Sequence, residues 1–153
     1  MSSSSAQLRV AIVVGRFYEE LAKRLVDGAR AAFIAGGVES DAIDVFEVAG
    51  AFELPLAARW CVELGDYAGV ACLGAVIRGE TDHYDFVCGE AARGIQQVQL
   101  DSGVPCAFGV LTVSNMEQAL ARSGGDKRDQ GAHAADAVLE MIALRERLGT
   151  KSD

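Results

Sequence analysis

Leu8-Arg9-Val10-Ala11-Ile12-Val13-Val14 is an apolar run rich in β-branched residues, and it decides the fold. A strand that is apolar at nearly every position is covered on both faces, as the strands of parallel sheets are. A helix with one apolar face is predicted next, over residues 19–35. Its apolar positions recur every three or four residues: Leu21, Leu25, Ala29 and Ala32. A buried strand followed by an amphipathic helix is the first unit of an α/β fold.

The same alternation continues along the chain. Further strands are predicted at 43–48, 69–77 and 105–113, and further helices from Pro55 onward and at 84–100, 115–123 and 130–148. Strands that alternate with helices form a parallel sheet between two layers of helices, so the predicted fold class is a three-layer α/β/α arrangement. Residues 1–7 are expected to be a disordered N-terminal tail, and residues 8–153 to form a single domain.

The chain is acidic, with 14 Lys and Arg against 22 Asp and Glu and a formal net charge of −8. An acidic surface repels phosphate backbones and anionic lipids, so neither nucleic acid nor a membrane is expected as a partner. No apolar run approaches the roughly 20 residues that span a bilayer, and the N-terminal residues lack a signal-peptide pattern. An anionic ligand would have to be held by local arginines or main-chain N–H groups.

The cysteines are Cys61, Cys72, Cys88 and Cys106, and no two of them have C-x-x-C spacing. That spacing is typical of zinc and redox sites, so free thiols and a cytoplasmic location are predicted instead. None of the cysteines starts a helix directly after a strand beside a basic residue, which disfavours catalysis by a thiolate.

The carboxyl ends of parallel strands share one edge of the sheet, and ligands bind at that edge. Phe17 follows the first strand, where its ring can stack on a flat heterocycle or pack against the first helix. The G-x-G-x-x-G loop of dinucleotide-binding folds is absent there. Ala51, Phe52 and Glu53 follow the second strand. Glu53 can accept hydrogen bonds from ligand hydroxyls or simply favour the start of the next helix.

The stretch after the third strand carries the most information, and it reads Arg78-Gly79-Glu80-Thr81-Asp82-His83. It joins a strand to a helix, and the free N–H groups at the start of a helix are suited to bind an anion. Thr81 or Asp82 is the predicted N-cap, which places His83, a candidate for proton transfer, in the first turn. A metal cluster of Asp82, His83 and Asp85 is disfavoured because such close neighbours on a helix do not face one site.

Phe108 lies in the fourth strand, and Arg122 is near the end of the short helix that follows. Arg122 can bind phosphate through two parallel hydrogen bonds, or act only as a cation at a helix C-terminus. The chain has neither a P-loop nor a nucleophile-elbow motif. A phospho-receiver domain is a further alternative, but it would need acidic residues after the first strand, where this chain has Gly15-Arg16-Phe17.

Taken in order, these segments resemble the lumazine synthase family over nearly the whole chain. The resemblance is strongest from Val76 to Tyr84. The segments that carry it are Arg16-Phe17, Gly50-Ala51-Phe52-Glu53-Leu54-Pro55, Gly74-Ala75-Val76-Ile77-Arg78-Gly79-Glu80-Thr81-Asp82-His83-Tyr84-Asp85, Phe108-Gly109-Val110-Leu111-Thr112, and Asn115-Met116-Glu117-Gln118-Ala119 with Arg122.

The resemblance implies a flavodoxin-like layout with a four-stranded parallel sheet, packed as homopentamers or multiples of pentamers with active sites between subunits. It implies a transferase of riboflavin biosynthesis that condenses 5-amino-6-(D-ribitylamino)uracil with 3,4-dihydroxy-2-butanone 4-phosphate. The products would be 6,7-dimethyl-8-ribityllumazine, phosphate and water, and neither a cofactor nor a metal would take part. Whether pentamers stay single, pair or build a 60-subunit shell is left open.

The resemblance also implies roles for residues that would hold the ribitylated pyrimidine. Phe17 would stack on its ring. The ribityl chain would be held by Ala51, Phe52 and Glu53, with Glu53 accepting from its hydroxyls. The ring edge would be read by main-chain groups of Ala75, Val76 and Ile77.

A second set of roles concerns the phosphate and the chemistry. Glu80 and Thr81 would bind phosphate mainly through main-chain N–H groups. His83 would move protons during imine formation and phosphate loss. Phe108 and Arg122 would come from the neighbouring subunit, with Arg122 on the phosphate.

Two positions depart from the family pattern. Tyr18 stands where the family usually has Asn, a change expected to alter packing more than chemistry. Gln130 stands where the family usually has a lysine near the phosphate, and Lys127 or Arg128 are the candidates to replace that lysine. Gln130 motivates the alternative that the chain is a catalytically weak family member, acting as a flavin- or lumazine-binding or scaffold protein.

Overall fold

The sheet has four parallel strands, as the sequence predicts. The computed structural model describes residues 7–80, 82–124 and 127–151, so the predicted tail lies outside the described residues except for Gln7. The strands are β1 Val10–Gly15, β2 Ile43–Val48, β3 Gly69–Ile77 and β4 Cys106–Val113. They pair in the order β2-β1-β3-β4, and every pairing is parallel.

Five α-helices connect or follow the strands in the described part of the chain, and each bound that was predicted lies within three residues of the observed one. They are α1 Glu19–Ala35, α2 Leu54–Leu64, α3 Tyr84–Ser102, α4 Met116–Ala121 and α5 Gln130–Lys151, with short 3-10 turns at Ser40–Ala42 and Ala51–Glu53. The Asn115 side chain caps α4, because its Oδ1 accepts a hydrogen bond of 2.8 Å from the Gln118 N–H.

The sheet is covered on both faces, which confirms the three-layer α/β/α fold. Alternate residues of β1 show how this works, because successive strand side chains point to opposite faces. Ile12 belongs to the apolar cluster that α1 and α5 cover, and Val13 to the cluster that α2 and α3 cover. Both side chains are fully buried. Both faces of β1 are therefore packed against helices, which explains why the strand is apolar at nearly every position.

The strand order places a binding crevice at a defined point of the sheet. The chain leaves β1 to form β2 on one side, and then crosses to form β3 on the other side. In open α/β sheets a ligand crevice forms outside the carboxyl ends of the strands where the order reverses in this way. The ends of β1 and β3, at Gly15 and Ile77, therefore flank the expected site.

All the cysteines are free, and Cys61, Cys72 and Cys106 are buried. Burial raises the pKa of the Cys61 thiol to about 11 and that of Cys106 to about 12. Buried thiols of this kind are inert. Within the described part of the chain, no helix combines the length and the apolar character needed to cross a membrane.

Candidate active site

A cavity of about 170 Å³ lies where the loops after β1, β2 and β3 meet. It brings together predicted residues that are far apart in the sequence. Its lining consists of Phe17, Tyr18, Gly50, Ala51, Phe52, Glu53, Ala75, Val76, Ile77 and Val87. We call this cavity the rim pocket. Every residue that was assigned to the pyrimidine ring or the ribityl chain lies in it, and the sequence reasoning missed Tyr18, Gly50 and Val87.

The end of β1 and the loop after β2 touch through their backbones. A Cβ atom added at Gly15 would lie 2.9 Å from the carbonyl carbon of Gly50 and 3.2 Å from the main-chain nitrogen of Ala51. No side chain fits there, so glycine is required at Gly15 for this close approach. The contact brings residues 51–53 beside Phe17.

The Glu53 side chain makes a hydrogen bond back to the main chain of its own loop. One of its carboxylate oxygens, Oε1, accepts a hydrogen bond of 3.0 Å from the Gly50 N–H. The conformational role considered from the sequence is thus present, and it fixes the direction of the side chain. The role of Glu53 toward ligand hydroxyls stays a prediction.

Phe17 does not pack as a core residue, because it is 72% exposed. Its ring meets the ring of Tyr18 edge to face, with 4.9 Å between the centroids and 87° between the planes. Tyr18 therefore supports Phe17 from one side and leaves the rest of its surface accessible at the rim pocket.

The loop after β3 is tied to the loop after β1 by one side-chain hydrogen bond. The Tyr18 hydroxyl donates to Oε1 of Glu80 at 2.8 Å, across 62 positions of sequence. Burial, and then the Glu80 carboxylate, raise the pKa of Tyr18 to about 12. The Glu80 N–H donates to the Ile77 carbonyl at 3.2 Å, so in this structure it closes a turn. Thr81 lies outside the described residues.

The prediction that Thr81 or Asp82 caps α3 is wrong: the N-cap is His83, and the helix begins at Tyr84. The reason is the turn at Ile77–Glu80, which includes Gly79 at a φ of +89° and delays the start of the helix. His83 is exposed, with its ring centroid 6.5 Å from that of Phe86. It is not among the residues that line the rim pocket, but it follows Glu80 by three positions.

Phe108 and Arg122 lie together in a different place. They line a second cavity, of about 320 Å³, along β4. We call it the β4 pocket. Its lining consists of Phe108, Val110, Leu111, Thr112, Val113, Gln118, Arg122, Arg128 and Gln130, none of which lines the rim pocket. The strand register places Phe108 away from the end of β3, since it pairs with Cys72, whereas Val113 pairs with Ile77 at that end.

The β4 pocket has two guanidinium groups and no carboxylate in its lining. Arg122 is the C-cap of α4, and its Nη1 donates to the Gln118 carbonyl at 3.2 Å. Arg128 donates from Nη1 to Oε1 of Gln130 at 3.3 Å. In a chain of net charge −8, such a pair of cations is a local exception that suits an anion. No group of three or more His, Cys, Asp or Glu that could hold a metal occurs among the described residues.

Residues 7–146 match the family model of 6,7-dimethyl-8-ribityllumazine synthase. The chain belongs to this family. It is 44% identical to the 6,7-dimethyl-8-ribityllumazine synthase of Salinibacter ruber over 140 residues, which cover 92% of this chain and 90% of that protein. It is 43% identical to the protein of the same name from Pediococcus pentosaceus over 145 residues, or 95% and 93% of the two chains. Family membership therefore extends over the rim pocket and the β4 pocket alike.

Proposed function

We propose that the chain condenses 5-amino-6-(D-ribitylamino)uracil with 3,4-dihydroxy-2-butanone 4-phosphate to give 6,7-dimethyl-8-ribityllumazine, phosphate and water. The observation that carries this proposal is the rim pocket, in which Phe17, Glu53 and the end of β3 meet in a member of this family. The reaction would take place in the cytoplasm, where the free thiols of the chain stay reduced.

The rim pocket would hold the ribitylated pyrimidine. Phe17 would stack on the ring, because its largely exposed side chain lines the pocket and its ring is held edge to face with that of Tyr18. Glu53 would accept from the ribityl hydroxyls, and main-chain groups of Ala75, Val76 and Ile77 would select the edge of the ring. His83 would move protons between the condensing substrates. Holding the two reactants together supplies much of the rate in a site that has no strong nucleophile.

The second half of the site would come from another subunit, in a homopentamer or a multiple of pentamers. Phe108 and Arg122 line a different cavity from Phe17 within one chain, and a neighbouring subunit would bring the two sets to one ligand. A row of apolar side chains supports such an interface. Its members are spaced four residues apart, and each is more than half exposed: Phe52, Leu56, Trp60 and Leu64. Exposed apolar patches of this kind mark protein–protein contacts, and Phe52 also lines the rim pocket.

The proposal is tested by mixing the purified protein with both substrates in the presence of EDTA and without any added cofactor. We expect the fluorescence of the lumazine product to rise with time and to depend on both substrates. Each substrate alone is the control. Tight binding of riboflavin or lumazine without product formation would instead support the binding-protein or scaffold alternative.

Replacing Glu53 with glutamine is expected to raise the KM for the ribitylaminouracil about tenfold, the usual difference between a charged and a neutral hydrogen-bond acceptor. The glutamine Oε1 can still accept from the Gly50 N–H, so the loop keeps its conformation. The KM for the butanone phosphate is expected to stay the same. Steady-state kinetics with one substrate varied at a time measure both values.

Glu63→Gln is the matched control, because Glu63 is an exposed residue of α2 that pairs with Arg59. It is expected to leave both KM values unchanged. An equal change of the two KM values in Glu53→Gln would contradict the proposed contact with the ribityl chain.

A further inference from the structure

We propose that Tyr18 is a positioning residue for phosphate binding, whose hydroxyl holds the Glu80 carboxylate against the β1 loop and away from the anion. The proposal rests on the proposed function, since it concerns the same phosphate. It assigns a chemical role to a residue that the sequence predicts to affect packing.

The Tyr18 side chain is held in place from several directions. Its main-chain carbonyl accepts from the Ala22 N–H at 2.9 Å, which fixes it at the start of α1. Its ring packs against the apolar cluster beneath α1 and contacts the ring of Phe17. The hydroxyl therefore occupies a fixed position at the edge of the rim pocket.

Glu80 is less constrained by its surroundings. It is exposed and follows Gly79, whose φ of +89° belongs to the tight turn after β3. The hydrogen bond from the Tyr18 hydroxyl, 2.8 Å long, directs the Glu80 carboxylate toward the β1 loop. Since the pKa of Tyr18 is about 12, the phenol remains a donor throughout the pH range of an ordinary assay.

The direction of that carboxylate matters because the same loop leads into α3. The first N–H groups of a helix have no partner within it, and their positive potential attracts phosphate. A carboxylate that turned toward this end would repel the anion and could itself accept from the N–H groups. The Tyr18 hydroxyl donates to the Glu80 carboxylate at the β1 loop, and it thereby keeps this carboxylate from competing with phosphate for the N–H groups.

The test is Tyr18→Phe, which removes one oxygen and keeps the packed ring. We expect the KM for the butanone phosphate to rise about tenfold, while kcat and the KM for the ribitylaminouracil change less than about twofold. Inorganic phosphate, used as an inhibitor competing with the butanone phosphate, is expected to lose affinity by a similar factor. Tyr67→Phe is the matched control, because the Tyr67 hydroxyl also donates to a carboxylate, that of Asp44 at 2.6 Å, but at the other end of the sheet.

A double-mutant cycle separates this role from a loss of structure. When Glu80→Gln is already present, the added Tyr18→Phe change is expected to alter the KM for the butanone phosphate less than about twofold, because no carboxylate is left to be released. The proposal would be overturned by the same rise in the KM for the butanone phosphate in both backgrounds, by equal rises in both KM values, or by no rise at all. These outcomes require a wild-type protein that turns over, so they are distinct from a failure of the proposed function. If the wild type makes no product, calorimetric titration of inorganic phosphate into the same four proteins gives the same comparison.

Discussion

Mixed oligomers of His83→Ala and Arg122→Ala subunits are expected to recover about a quarter of the wild-type activity, although each variant alone loses about a hundredfold or more. His83 is the N-cap of α3, after the loop that follows β3, whereas Arg122 lines the β4 pocket. In the proposed intersubunit site, a ligand touches His83 of one subunit and Arg122 of the next. A mixed oligomer then contains some interfaces at which both groups are intact.

The expected fraction follows from random assembly. A working site needs His83 from one subunit and Arg122 from the next, and each is present with a probability of about one half, which gives about one quarter of the sites. The experiment refolds the two variants together, with a different affinity tag on each, and assays the oligomers that carry both tags. Wild-type subunits refolded with the double variant His83→Ala and Arg122→Ala provide the reference for the same number of intact groups.

The absence of any recovery in mixed oligomers would mean that His83 and Arg122 act within one subunit. The proposed intersubunit site would then be wrong, even if the protein makes lumazine. Activity that stays at the wild-type level in either single variant would instead remove that residue from the site.

The fold was predictable because its signals are local. The run from Leu8 to Val14 is apolar on both faces, and in the structure Val10 to Val14 lie between two apolar clusters. Asparagine is a favoured N-cap residue, and the Asn115 side chain makes the capping bond of α4. Each of these features depends on neighbours along the chain or on the periodicity of one element, and a sequence displays both directly.

The sequence predicts only those parts of the site whose positions follow from the ends of the strands. Phe17 and Glu53 meet because parallel strands end at one edge of the sheet, whatever the details of their loops. The separation of Phe108 from this edge depends on the register between β3 and β4, which strand boundaries alone do not give. The hydrogen bond between Tyr18 and Glu80 joins residues 62 positions apart, and no local sequence pattern indicates it. The N-cap at His83 depends on the backbone of Gly79.

Replacing Gly131 with alanine is expected to lower the free energy of unfolding by about 3 kcal/mol, at the upper end of the usual cost of overpacking. Gly131 lies in the first turn of α5, where that helix crosses α1. An added Cβ would collide with the Leu25 carbonyl oxygen, and would lie 2.9 Å from its carbonyl carbon and 3.1 Å from the Ala29 nitrogen. All three are backbone atoms of α1, so no side chain can rotate to make room. Urea unfolding followed by circular dichroism, at one protomer concentration, measures the change.

Gly89→Ala is the matched control for that experiment, because Gly89 also lies in a helix but an added Cβ there has no neighbouring atom within 4 Å. It is expected to stabilise α3 by up to about 1 kcal/mol, the difference in helix propensity between the two residues. If Gly131→Ala behaved like Gly89→Ala, α1 and α5 could separate without cost, and the close crossing would not be needed.

Gly131 directly follows Gln130 and the loop that carries Arg128 into the β4 pocket. Any Gly131→Ala protein that still folds is therefore expected to bind phosphate more weakly, because the shift of α5 that relieves the collision also moves that loop.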